Sequence, residues 1–181
     1  MTDLLNYLRR ISPDQLRVAN ARSGVKPYPG GQKSPYKPLL LLTVLRMIHK
    51  RDRAFSRGLI RFADCLEHFV RLKTSIYGEI FDEDLTPQVV QPYWYFGAGV
   101  PRLWNLVPCE GKTLELNDAI SGALQIKTRR KLEQLVAMAQ FEPSDLDLLS
   151  DEAANNAIRA SLVATYFKGH ETTVFAAISN L

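Results

Sequence analysis

In the stretch "PYKPLLLLTVLRMIHK", Pro35 to Lys50, four consecutive leucines follow a proline, and apolar residues return at 44, 45, 47 and 48. A surface helix would show one apolar stripe and one polar face. This run has no continuous polar face, so it predicts a helix from Pro38 to about Lys50 that is apolar on most sides, central to the core and basic in its last turn. Proline suits a first helical turn, where its missing N–H has no partner in any case. Pro35 and Pro38 also restrict the residues before them, so Tyr36 and Lys37 are held in place. A lysine beside the first free N–H groups of a helix makes an anion site.

Upstream, "RSGVKPYPGGQKSPYKP", Arg22 to Pro38, holds four prolines, three glycines and no acid. It reads as a basic, aromatic-bearing loop preceded by two short helices, Asp3 to Arg10 and Ser12 to about Arg22. Downstream, "GLIRFADCLEHFVRL", from Gly58, has the spacing of an amphipathic helix. The β-branched and aromatic segment "VVQPYWYF", Val89 to Phe96, reads as a strand with Pro92 at an edge or bulge. "RLWNLVP", from Arg102, is its hairpin partner across the Gly97 to Pro101 turn. "LQIKTRRKLEQLVAMA", from Leu124, reads as a helix with its basic residues in the first turns. Two further helices, through Leu149 and from about Asp151 to Phe167, follow a break at Phe141-Glu142-Pro143-Ser144. The expected class is α+β, predominantly helical, with helices packed around a small antiparallel sheet or hairpin.

A chain of 181 residues, 46% hydrophobic, is enough for one globular domain with a substantial core. Its longest apolar run is far short of the roughly 20 residues that span a bilayer. The N-terminus lacks the pattern of a secretory signal, so a cytoplasmic protein without a membrane partner is expected. Cys65 and Cys109 belong to no metal-ligand pattern, and His49, His68 and His170 are widely spaced, so no cofactor is expected. The net charge of +4 is unevenly spread. Residues 1–61 hold 13 Lys/Arg against 3 Asp/Glu, and residues 127–132 hold 4 against none. The segments between and after are acidic, with 4 against 9 over residues 62–126 and 2 against 7 over residues 133–181. Basic charge concentrated in this way is what a one-faced polyanion-binding surface needs.

The order of four landmarks resembles the sulfur-binding domain of phosphorothioate-dependent type IV HNH restriction endonucleases. They are the basic loop running into "PYKPLLLLTVL"; "QPYWYF" followed by "LWNLVP"; "IKTRRKL" with "AMAQF"; and "LSDEAANNAIRASLVATYF". The resemblance spans roughly residues 15 to 168. It implies a domain over 1–168 and a linker, or the start of a missing C-terminal HNH nuclease module, over 169–181. Such domains bind double-stranded DNA in which sulfur replaces a non-bridging phosphate oxygen in the Rp configuration. The resemblance implies a sulfur cup of Gln91, Pro92 and Tyr95, with Tyr93 as a substitute and Tyr36 and Lys37 across from it. It implies base contacts from Ser121, Gln125, Lys127 and Arg129 in the major groove, and phosphate contacts from Arg22, Lys26, Tyr28 and Lys33.

On that reading the chain is a DNA-binding domain rather than an enzyme. A divalent metal belongs only to the missing nuclease, and a homodimer only to the full-length protein. Two other readings compete. One is a sequence-specific regulator indifferent to sulfur, with "IKTRRKLEQL" as recognition helix. The other is a hydrolase with Asp82, Glu83 and Asp84 as metal ligands, although such an acidic loop is more often a solvated face. Trp94 and Trp104 are expected in the core.

Overall fold

Leucine buried on every side of a helix has only one stable place, the middle of the domain, and the run after Lys37 takes it. In a computed structural model of the chain, residues 36–53, 55, 57–78 and 86–180 are described. The first helix, α1 (Tyr36–His49), is buried continuously from Pro38 to Ile48. Each of its leucines contributes roughly 1.5–3 kcal/mol relative to exposure. Two polar residues are accommodated within it. The Thr43 hydroxyl donates back to the Leu39 carbonyl at 2.8 Å. Arg46, whose guanidinium pKa is lowered by burial, lies 3.4 Å from His68 Nδ1. Arginine can only donate, so Nδ1 accepts, and His68 Nε2 carries its proton toward Asp52, 3.4 Å away.

The remaining described elements are β1 (Leu59–Ile60), α2 (Phe62–Tyr77), α3 (Thr86–Ala98), β2 (Asn105–Pro108), α4 (Thr113–Ser121) and α5 (Arg129–Leu135). After them come β3 (Val136–Gln140), α6 (Pro143–Ser150), α7 (Glu152–Tyr166) and α8 (Glu171–Asn180). The result is the expected class, mostly helical with one small antiparallel sheet of order β1-β3-β2. The central strand β3 sets Ala139 opposite Ile60 on one side and Leu106 on the other, with an irregularity between Val107 and Pro108. Asn155 ties three elements together from within α7. Its side-chain amide donates to the carbonyls of Leu45, at 3.1 Å, and Leu149, at 2.8 Å. Residues 169–181, read from the sequence as leading out of the domain, contain α8, which buries Val174, Ala177 and Ile178 and packs on α1, α2 and α7.

Four local expectations are corrected. "VVQPYWYF" lies within the helix α3, not in a strand, and its Val89, Val90, Tyr93, Trp94 and Phe96 are all buried. Intrinsic strand preference is weak beside burial of five large side chains on one helix. Pro92 sits inside that helix and forgoes a single bond, that to the carbonyl of Gln88 near the helix start. "RLWNLVP" therefore has no strand to pair with there, and β2 pairs with β3 instead of forming the expected hairpin. The chain still turns back after α3, with the Leu103 N–H donating to the Phe96 carbonyl at 2.8 Å.

The helix expected from Leu124 is confined to α5, and its last four residues, from Val136, belong to the strand β3. Likewise Leu59 and Ile60, at the head of the expected second helix, form β1 against β3. In each case tertiary pairing to a distant strand outweighs local periodicity. The helices expected through Leu149 and from about Asp151 are α6 and α7, the latter capped by the Asp151 carboxylate accepting from the Ala154 N–H at 2.8 Å. Gly97 permits a close approach of α3 to Leu106 of β2. A Cβ there would stand 2.4 Å from Leu106 Cγ and 3.0 Å from Trp104 Cδ1.

Candidate nucleic-acid interface

Tyr36 and Lys37 are the first two residues of α1, where backbone N–H groups have no partner within the helix. Packing of α1 on α3 brings Lys37 to Tyr95, and its amine lies 3.3 Å from the centroid of the Tyr95 ring. Two effects act on that amine in opposite directions. Burial pushes its pKa down to about 8. The ring face favours the cation, by roughly 0.5–2 kcal/mol depending on how dry the contact is. The lysine is thus half-buried against an aromatic face, with its pKa below the ordinary lysine value.

Gln91, Trp94 and Tyr95 stand three and four residues apart on α3 and so share one face of it. Gln91 is exposed, Tyr95 is half-buried and Pro92 is buried. Tyr93 points the other way. It is fully buried, its hydroxyl donates to the Ile60 carbonyl at 2.9 Å, and its ring meets Phe62 edge-on. Burial also drives its ionisation well above the ordinary tyrosine range. Tyr93 is therefore a core residue, and the hydroxyl that would have faced a ligand is engaged by β1. Of the six residues expected at a sulfur cup, Tyr36, Lys37 and Tyr95 lie half-buried where α1 meets α3. Gln91 is exposed one turn from Tyr95.

A residue that sequence reasoning missed lies beside them. Lys73 of α2 is fully buried, donates to the Gln88 side-chain oxygen at 3.0 Å, and places its amine 5.6 Å from the Tyr36 ring centroid. A signal was available. Lys73 falls at helical spacing between Phe69, Leu72 and Ile76, all buried, so a lysine occupies a core position.

The segment expected to read bases is mostly irregular. Ser121 ends α4, with its hydroxyl donating to the Asn117 carbonyl at 2.8 Å. Gln125 and Lys127 lie in the connection that follows, and Arg129 opens α5 and pairs with Glu133 at 2.9 Å. All four are exposed, as are Arg130 and Lys131. The connection is joined to α3 through Trp94, whose indole N–H donates to the Leu124 carbonyl at 2.9 Å. Trp94 and Trp104 are both buried as expected, and Trp104 donates to the Tyr93 carbonyl at 3.2 Å. Helix α3 thus has Lys37 against Tyr95 and the basic connection against Trp94, with Gln91 one turn before both.

Arg22, Lys26, Tyr28 and Lys33, expected on phosphates, lie outside the described residues, as do Asp82, Glu83 and Asp84. Among the described residues no group of three His, Cys, Asp or Glu side chains is arranged to hold a metal ion, and no helix is long and apolar enough to cross a membrane. Cys65 and Cys109 form no disulfide. Burial raises the Cys65 thiol well above its ordinary range, and the Cys109 thiol donates to the Glu133 carbonyl at 3.3 Å.

No protein-family model, curated protein or solved structure matches the chain. The class defined by the fold is an α+β domain of eight described helices around a three-stranded antiparallel sheet.

Proposed function

We propose that this chain binds duplex DNA and prefers DNA carrying an Rp phosphorothioate, acting as a reader rather than as a catalyst. The observation that carries the proposal is the contact of Lys37 with the Tyr95 ring, which joins a cation to an aromatic surface beside exposed Gln91. Sulfur is larger, softer and less hydrated than the oxygen it replaces, so an aromatic surface favours it while a neighbouring ammonium balances the charge of the group. Because Pro92 is buried, the described atoms offered to a ligand are those of Gln91, Tyr95, Tyr36 and Lys37. The exposed cations Lys127, Arg129, Arg130 and Lys131 lie in the segment bonded to the same helix and suit neighbouring phosphates.

In the resembling endonucleases such a domain directs an HNH nuclease to modified DNA, and the same targeting role is proposed here. The test is binding of paired duplexes that differ in one Rp phosphorothioate, across several sequence contexts and at fixed salt. A sulfur preference of about tenfold or more, ~1.4 kcal/mol, is the expected result. Equal affinity for the two duplexes would refute sulfur recognition and leave a sequence-specific DNA-binding regulator. Lys37→Ala should weaken binding to both duplexes. Gln91→Glu, which adds charge at the exposed edge of the site, should reduce the sulfur preference.

A further inference from the structure

We infer that Leu124 is a wedge, a side chain that enters the base stack of a bound duplex and unstacks one step. The inference rests on the DNA-binding reading above and adds to it a deformation of the DNA and the residue that causes it. Leu124 is 54% exposed, yet its backbone is held on both sides. Its N–H donates to the Ala119 carbonyl at 2.9 Å, and its own carbonyl accepts from the Trp94 indole at 2.9 Å. The preceding residue, Ala123, is in the left-handed region at φ 50°, with its N–H donating to the Ile120 carbonyl at 3.1 Å. Two residues further on, Ile126 is buried. An apolar side chain thus projects from a fixed turn, where its insertion costs little ordering.

What surrounds Leu124 indicates what it meets. Residues 119–132 include four cations and no carboxylate. Lys127 and Arg130 are exposed and form no ion pair with another described residue. An apolar tip beside phosphate-binding cations matches a base stack flanked by its two backbones, and leucine is among the side chains that open base steps in this way. A bilayer is the weaker fit, because one leucine inserts too little apolar surface to hold a chain there without a second anchor. The Trp94 bond also places the wedge beside the helix that carries Gln91 and Tyr95, so unstacking falls close to the contacted phosphate group.

The experiment uses short duplexes with one Rp phosphorothioate, and their all-oxygen counterparts, with 2-aminopurine placed in turn at each position around the modified step. The wild-type chain should raise 2-aminopurine fluorescence several-fold at one position on saturation. Leu124→Ala should bind about tenfold more weakly and give no rise at saturation. Leu124→Phe should preserve the rise, and Lys127→Ala should weaken binding but keep the rise at saturation. A wild-type complex with no rise at any position, or a Leu124→Ala complex that keeps it, overturns the wedge and leaves the DNA reading intact. Failure to bind any duplex overturns both. Leu124-dependent binding to vesicles containing phosphatidylserine, without duplex binding, replaces both with a membrane surface.

Discussion

Raising the pH from 7 to 9 should weaken the proposed DNA binding through loss of charge on Lys37. The amine has its pKa lowered to about 8 by burial where α1 meets α3. It is therefore about nine-tenths charged at pH 7 and about one-tenth charged at pH 9 in the free protein. A bound phosphate favours the cation and pulls its pKa back up, so the complex keeps a proton that the free protein loses. Affinity should then fall about tenfold over this interval, ~1.4 kcal/mol, where an ordinary lysine would produce almost no change. Folding stability should respond with the opposite sign. Below pH 8 the folded and unfolded chains both carry the charge, and the folded state bears the full desolvation penalty. Between about 8 and the ordinary lysine value of 10.5 the unfolded chain binds more protons, so this group's penalty is relieved as pH rises.

The assay is fluorescence anisotropy of a labelled duplex at constant ionic strength for wild type, Lys37→Arg and Lys37→Met. Arginine remains charged throughout, so Lys37→Arg should hold its affinity across the interval. Lys37→Met should be weak and equally insensitive. Denaturant titration of wild type and Lys37→Met at pH 7.5 and 9 reads the stability term, and the advantage of the methionine variant should shrink at the higher pH. A flat wild-type binding profile, or a slope that survives in Lys37→Arg, refutes the assignment of the charge to Lys37.

Gly97→Ala should destabilise the fold by about 1–3 kcal/mol, because the new Cβ would press on Leu106 Cγ, and adding Leu106→Ala should restore part of the loss in a denaturant double-mutant cycle. Trp94→Phe removes the hydrogen bond to the Leu124 carbonyl; it should cost about 1 kcal/mol and speed amide exchange at Leu124 in hydrogen-exchange measurements. Asn155→Ala withdraws two buried donors from the Leu45 and Leu149 carbonyls and should lower stability by about 2 kcal/mol in thermal unfolding, and Asn155→Asp should be worse because it buries a carboxylate.

Much of the candidate site was legible because its chemistry is local. Tyr36 and Lys37 are held by flanking prolines at a helix start, and a run of Lys and Arg without acids marks residues 127–131 as basic whatever its conformation. What local pattern could not carry was direction. Tyr93, Trp94 and Tyr95 are adjacent in sequence, yet the first bonds to β1, the second to Leu124 and the third receives Lys37. Read as a strand, the same residues alternate between two faces. On a helix they fan out around the axis, and Gln91 joins Trp94 and Tyr95 instead of Tyr93. Lys73 escaped notice for a related reason, since a lysine within an amphipathic helix is ordinarily counted on the polar face.

The sequence by itself determined the central helix, because a run apolar on most sides is stable only inside. It also determined the helices on either side of Asp151, after the break at Phe141 to Ser144, and the uneven distribution of charge. Only the tertiary structure decided that Val89 to Phe96 are helical, that Val136 to Gln140 are a strand and that β3 stands between β1 and β2. Strand pairing and burial are set by partners far along the chain. The contacts of Lys37 with Tyr95 and of Trp94 with Leu124 arise in the same way, when α3 packs between segments that no local pattern links to it.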